Sequence, residues 1–132
     1  EALVFPHMLY CCTVWGGCCA TQKRRVQKAI NFAARNVTGL SRRDHISPAL
    51  DALGWPTFDD MLKGRDLAML QKLLSPDAPP ALAGLVKYRS DVCRRVTRGA
   101  CGEQLELPKI RTERARRTFH FRAVTSWNCH RR

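Results

Sequence analysis

Between Thr21 and Val37 the apolar residues Val26, Ala29, Ile30, Ala33 and Val37 recur at spacings of three and four. That is the period of an α-helix with one side against a core. Arg24, Lys28, Asn31 and Arg35 fall on the other side at spacings of four, three and four. One helix is therefore expected to present an apolar stripe inward and a basic face of about three turns outward. Gly39 stands where a left-handed C-terminal cap is needed, and Arg35 suits the last exposed carbonyls.

The continuation of this helix reads as a series of short helical pieces. Ser41 to His45 is a polar, basic turn. Ser47 can cap a helix with Pro48 as its first residue, and Leu50 and Leu53 give it an apolar edge before Gly54. Trp55 is biased away from helix by Pro56. Thr57, with the carboxylate of Asp60 three residues on, then predicts a helix from Phe58 to Leu74. Its buried face is expected to be Phe58, Met61, Leu62, Met69, Leu73 and Leu74. SPDAPP at 75–80 is a loop, and Pro80 is expected to start a short helix through Val86.

At the two ends the pattern is weaker. From Pro6 a short helix is expected, with Leu9, Tyr10, Cys11 and Val14 toward the core and Trp15-Gly16-Gly17 as its break. Residues 87–103 read as an exposed, Arg-rich irregular loop. Gln104 to Leu107 reads as one short extended segment. Thr112 is expected to cap a last helix to about Trp127, with Ala115, Phe119, Ala123 and Trp127 sharing a face. The fold class is thus mainly α: a small helical bundle with an Arg-rich loop and at most one short extended segment. At 132 residues the core is small. The chain opens on Glu1 followed at once by apolar residues, which suggests a cut inside a longer reading frame.

Charge gives the main functional signal. The chain has 23 Lys/Arg against 11 Asp/Glu, a net charge of +12. Nine basic and six acidic residues fall in 1–66, and fourteen and five in 67–132. Such an excess attracts polyanions, and a predominance of Arg favours phosphate through its planar fork of donors. The candidate contacts form three groups: Arg24, Arg25, Lys28 and Arg35; Arg42 and Arg43; and Arg94, Arg95 and Arg98 with Arg111, Arg114, Arg116, Arg117 and Arg122. Phe119, Phe121 and Trp127 are able to stack on bases, although their helical spacing fits a core better.

Other chemistry finds less support. Asp59-Asp60 has the look of a metal-holding pair, yet Thr57 occupies the place where a polymerase hairpin has an aromatic residue. Carboxylates are favoured in the first turn of a helix in any case. Cys93, Cys101 and the Cys129-His130 pair match no zinc spacing, and His7, His45 and His120 are scattered. We find no nucleophile, base and orienter arrangement, no nucleotide loop and no implied cofactor. The Asn36-Val37-Thr38 sequon lies in an expected helix. The seven cysteines include two adjacent pairs, Cys11-Cys12 and Cys18-Cys19. Without a signal segment these read as reduced thiols of an intracellular chain. The opposing reading is a secreted, disulfide-linked interaction protein. No apolar run approaches the ~20 residues of a membrane span, so no membrane partner is expected.

In order along the chain, LVFPHMLYCCTVWGGC and QKRRVQKAINFAARNVTGLSRRDHISPALDALGWPTF resemble the region after the polymerase core of non-LTR (LINE-type) retrotransposon reverse transcriptases of the jockey and chicken-repeat lineages. The likeness rests on Pro6, His7, Tyr10, Cys11, Val14, Trp15, Gly16, Ala33, Ala34, Arg35, Thr38, Gly39, Leu40, Pro48, Ala49, Leu50, Leu53 and Trp55. RDLAMLQKLL, YRSDVCRRVTRG and LELPKIRTERARRTFHFRAVTSWN resemble the family's tail, which closes on Phe119 or Phe121, Arg122, Ala123, Trp127 and Asn128. Within the family the chain looks closest to copies abundant in ticks. Cys12, Cys19 and Asn36 depart from the pattern, as a decayed copy with no function would.

The resemblance implies a thumb-like helical remnant at 1–40 and a basic C-terminal domain at 41–132. It implies RNA and DNA as partners, together with an upstream polymerase domain of the parent chain. The family's polymerase and endonuclease residues have no counterpart here, so the expected role is non-catalytic and nucleic-acid binding.

Overall fold

The computed structural model describes residues 4–82, 84–92 and 103–130. Among these the chain is mainly α, with helices α1 (Val4–Leu9), α2 (Cys12–Trp15), α3 (Ala20–Thr38), α4 (Ser47–Leu53), α5 (Phe58–Leu74), α6 (Arg89–Val92), α7 (Glu113–Arg116) and α8 (Phe119–His130). The only extended pairing among the described residues is an antiparallel bridge between Tyr88 and Leu105. None of the described helices is long and apolar enough to cross a membrane. By packing, the chain divides into two compact units, 1–62 and 63–132.

In the first unit α3 packs on α1 and α4. The core is Cys12, Ile30, Ala34, Trp55, Phe58 and Leu62, flanked by Phe5, Met8, Leu9, Trp15, Val26 and Ala33. The buried row of α3 therefore runs through Val26, Ile30, Ala33 and Ala34. Ala29 and Val37, expected inside, are exposed, Val37 at 63%. Ala34 replaces them because the partners lie on the Ile30–Ala34 side of the helix. Trp15 stacks on Phe58, with ring centroids 5.4 Å apart. Phe5 meets Trp55 edge-on at 4.9 Å. Both are favourable aromatic geometries.

The expected single helix after Pro6 is instead two short ones. Cys11 adopts a left-handed conformation, φ 48°, between α1 and α2. That turn resets the helical phase. Tyr10, Cys11 and Val14 consequently face outward, and Cys12 faces in. Trp15 Nε1 donates to the Tyr10 carbonyl at 2.7 Å and closes the turn. Gly16 follows at a point where a Cβ would collide with the Cys12 carbonyl and the Leu62 side chain.

Several helix ends follow local chemistry, while Cys11, Cys19 and Ile46 stand at the starts of α2, α3 and α4 without a side-chain cap hydrogen bond. Gly39 caps α3 in the left-handed region, φ 70°, where a side chain is disfavoured. The amides of Gly39 and Leu40 both donate to the Arg35 carbonyl. Ser47 is the first residue of α4 rather than its cap. Ile46 holds the cap position and no side chain caps there. α5 begins as expected: Thr57 Oγ1 accepts from the Asp60 amide at 3.3 Å and donates to the Asp60 carboxylate at 2.6 Å. A second cap comes from across the unit, where the Phe58 amide donates to Gln27 Oε1 at 2.8 Å.

The second unit buries Leu70, Leu73, Val86, Leu105, Ala123 and Val124, with Met69, Leu74, Tyr88, Phe119 and Trp127 against them. The expected helix from Pro80 to Val86 is replaced among the described residues by successive turns, closed by Leu82 N–H to Pro79 O and Leu85 N–H to Leu82 O. Gly84 and the short span leave little to nucleate a helix. The extended segment expected at 104–107 is present: Arg89 N–H donates to Gln104 O, and Glu106 N–H to Lys87 O. Asn128 on α8 holds its middle, accepting from the Leu105 amide and donating to the Leu105 carbonyl, each at 2.9 Å.

The last expected helix is broken. Thr112 caps α7 through the Ala115 amide, but residues 117–118 form a turn before α8. Thr118 Oγ1 donates to the Ala115 carbonyl at 2.7 Å, a local side-chain bond that competes with helix continuation. The Arg117 carbonyl is taken by Arg122. Arg122, expected on the surface, instead binds Asp66 with Nε at 3.0 Å and Nη2 at 3.2 Å. The Asp66 side chain is 3% exposed and that of Arg122 16%. A buried carboxylate deprived of its guanidinium is strongly destabilising, while exchange of the whole pair for apolar groups is tolerated. Arg122→Met is expected to lower the unfolding free energy by about 3 kcal/mol in urea denaturation. Asp66→Leu combined with Arg122→Met is expected to recover most of that loss; equal loss in both variants would contradict this role.

Candidate nucleic-acid interface

α3 carries Lys23, Arg24, Arg25, Lys28 and Arg35, and no carboxylate. Like charges at Arg24 and Lys28, one turn apart, repel one another and weaken the isolated helix. The apolar row through Ile30 and Ala34 holds the helix in place despite this, because helices of globular proteins draw most of their stability from packing. The side away from the row is thereby free to be basic.

The sequence-derived cations divide into two kinds. Arg24, Arg25 and Lys28 on α3, and Arg42 and Arg43 in the turn after it, are exposed. Among the described residues no carboxylate lies within ion-pair distance of any of these five. Arg35 is different. Its guanidinium donates to the carbonyls of Asp44 at 2.9 Å and Ser41 at 3.4 Å, while the Ser41 amide donates to the Asp44 carboxylate at 2.8 Å. Arg35 thus fastens the 41–44 turn to the end of α3. It sets where Arg42 and Arg43 stand more than it offers a free charge.

The second unit repeats this division. Arg111 and Arg114 are exposed. Arg116 and Arg117 lie 3.9 and 3.8 Å from Glu113; such exposed pairs are weak and leave the charge accessible. Arg122 is committed to Asp66. Arg94, Arg95 and Arg98 lie outside the described residues.

The other candidates have ordinary structural surroundings. Asp59 pairs with Lys23 at 3.0 Å and Asp60 with Thr57, both in the first turn of α5. Among the described residues no group of three or more His, Cys, Asp or Glu could hold a metal. Cys93 and Cys101 lie outside them. Cys11, Cys12, Cys18, Cys19 and Cys129 form no disulfide. His130 Nδ1 lies 2.9 Å from the Ser126 carbonyl, to which it donates. Burial pushes the His120 imidazole below its ordinary range, opposed by the nearby Glu106 carboxylate. Phe119 and Trp127 pack on the second core, and Trp127 Nε1 donates to the Glu103 carbonyl at 3.0 Å.

Two residues of the α3 face escape a reading by charge alone. Phe32, one turn after Lys28, is 66% exposed, and Asn36, one turn further, is exposed as well. The apolar stripe is the signal that would have found Phe32, because Phe32 is an aromatic residue that falls outside it.

No family model matches this chain, and no curated protein or solved structure was found to be similar to it.

The two kinds of cation differ in what their removal does. Arg35→Ala is expected to cost about 1 kcal/mol in urea denaturation, the worth of a hydrogen-bonded clamp. Lys28→Ala is expected to stay within about 0.5 kcal/mol of the parent chain. Equal losses would show that the face is structural throughout.

Proposed function

We propose that this chain is a C-terminal segment of a non-LTR retrotransposon reverse transcriptase, and that it contributes sequence-independent RNA and DNA binding without catalysis of its own. The family reading rests on the ordered resemblance from Pro6 to Asn128. The binding reading rests on one observation: five exposed cations, Arg24, Arg25, Lys28, Arg42 and Arg43, stand on one helix and its following turn with no carboxylate within ion-pair distance among the described residues.

Cations of this kind act on the phosphate backbone. Each contact releases condensed counterions, so binding is driven by the entropy of released salt and weakens as salt is added. Such contacts fix position and carry no base sequence. A polyanion also relieves the repulsion between Arg24 and Lys28. Arg111 and Arg114, with Arg116 and Arg117, supply further phosphate contacts from the second unit. The parent polymerase domain is the expected covalent neighbour, and nucleic acid held by this tail would stay close to it.

Fluorescence anisotropy with a labelled 12-nucleotide RNA tests the binding reading. Five phosphate contacts on a single strand give a slope of about −3.5 in log K against log salt. Affinity is therefore expected to fall roughly a hundred-fold between 50 and 200 mM salt. The variant Arg24→Ala, Lys28→Ala, Arg42→Ala is expected to lose about 2 from the slope while keeping its helical circular dichroism. Binding that ignores salt, or no binding at 50 mM, would overturn the reading.

A further inference from the structure

The outer side of α3 and the turn after it enclose an open depression of about 560 Å³. Lys28, Asn31, Phe32, Arg35, Asn36, Leu40 and Arg42 line it. No carboxylate is among the lining groups. A phenylalanine 66% exposed in the middle of such a surface is out of keeping with a face that serves only to be solvated. Phe32 lies on the same row as Lys28 and Asn36, four residues from each, so cation, ring and amide succeed one another along the helix. Arg42 brings a second cation from the turn that Arg35 anchors.

This combination suits one kind of ligand. A flat aromatic face between two cations complements a planar base between two phosphates. The side-chain amide of Asn36 can both donate to and accept from a base edge. The volume lies within the range of small-molecule sites and has room for a nucleotide. In a duplex the faces of the bases are covered by their neighbours, so a ring standing on a helix surface cannot reach them. Only an unpaired base presents its face. We infer that the outer face of α3 takes an unpaired nucleotide, its base stacked on Phe32 and its flanking phosphates held by Lys28 and Arg42. This rests on the proposed nucleic-acid binding and gives it a preference, single strands over duplexes, that cations alone would not.

The test compares the full chain with Phe32→Ala and Phe32→Trp, using labelled U12 RNA and a 12-base-pair RNA duplex at 50 mM salt. Base–aromatic stacking is worth enough for Phe32→Ala to weaken U12 binding roughly ten-fold. Duplex binding is expected to stay within about two-fold of the parent, and the U12 salt slope to be unchanged, because no phosphate contact is removed. Phe32→Trp is expected to restore U12 affinity, and the introduced indole to be quenched by U12 and not by the duplex. Because the side chain is exposed, neither exchange removes core packing, and circular dichroism verifies that both variants fold. Unchanged U12 affinity in Phe32→Ala, or equal losses on both probes, would overturn the stacking site while leaving phosphate-directed binding intact. Failure of the parent chain to bind either probe would overturn both.

Discussion

The first unit depends on a single narrow row of side chains. Val26, Ile30, Ala33 and Ala34 are the positions through which α3 reaches Cys12, Trp55, Phe58 and Leu62. Only Ile30 and Ala34 are fully buried over 19 residues of helix. Burial of such a row, with the aromatic contacts of Trp15 and Phe58 and of Phe5 and Trp55, offsets the repulsion among the cations outside it. Because the row is narrow, most of the circumference of α3 is left to solvent. The basic face and its exposed phenylalanine are consequences of that geometry.

The arginines sort by the same logic. Arg35 and Arg122 are the two candidate contacts among the residues on which the proposed resemblance rests, and both are held inside the structure: Arg35 on the 41–44 turn and Arg122 on the buried Asp66. Other residues of that pattern also have structural duties. Gly16 allows close approach to Leu62, Gly39 takes a left-handed cap, Trp55 is in the core, and Asn128 holds Leu105. The pattern therefore follows the requirements of the fold. Arg24, Arg25, Lys28, Arg42 and Arg43 are not among the residues on which the resemblance rests; on the proposed reading they contact a phosphate backbone, which asks for charge and reach more than for exact position.

Much of the fold was legible because its signals are local. The bounds of α5 follow from Thr57, Asp60 and Leu74, and the ends of α3 and α4 from Gly39 and Gly54. What was not legible is non-local or conformationally unmarked. No sequence rule marks Cys11 for a left-handed turn, and that turn inverted the facing of Tyr10, Cys11 and Val14. Gln27 caps a helix 31 residues away, and Asp66 meets Arg122 across 56; spacing along the chain cannot report either. At the site, charge located the cations but could not tell Arg35 and Arg122 from the others. Phe32 was passed over because the reading followed charge, although its place outside the apolar stripe marks it for the exposed side.

On the proposed reading, nucleic acid lies on the outer face of α3 and the turn that follows it. The most direct measurement is an amide chemical-shift titration of the isotopically labelled full chain with U12 RNA at low salt. The largest saturable changes are expected between Lys28 and Arg43, with little change at Tyr10 and Val14, which are as exposed as Phe32 but carry no charge. Shifts centred on Tyr10 and Val14, or no saturable shift between Lys28 and Arg43, would contradict it.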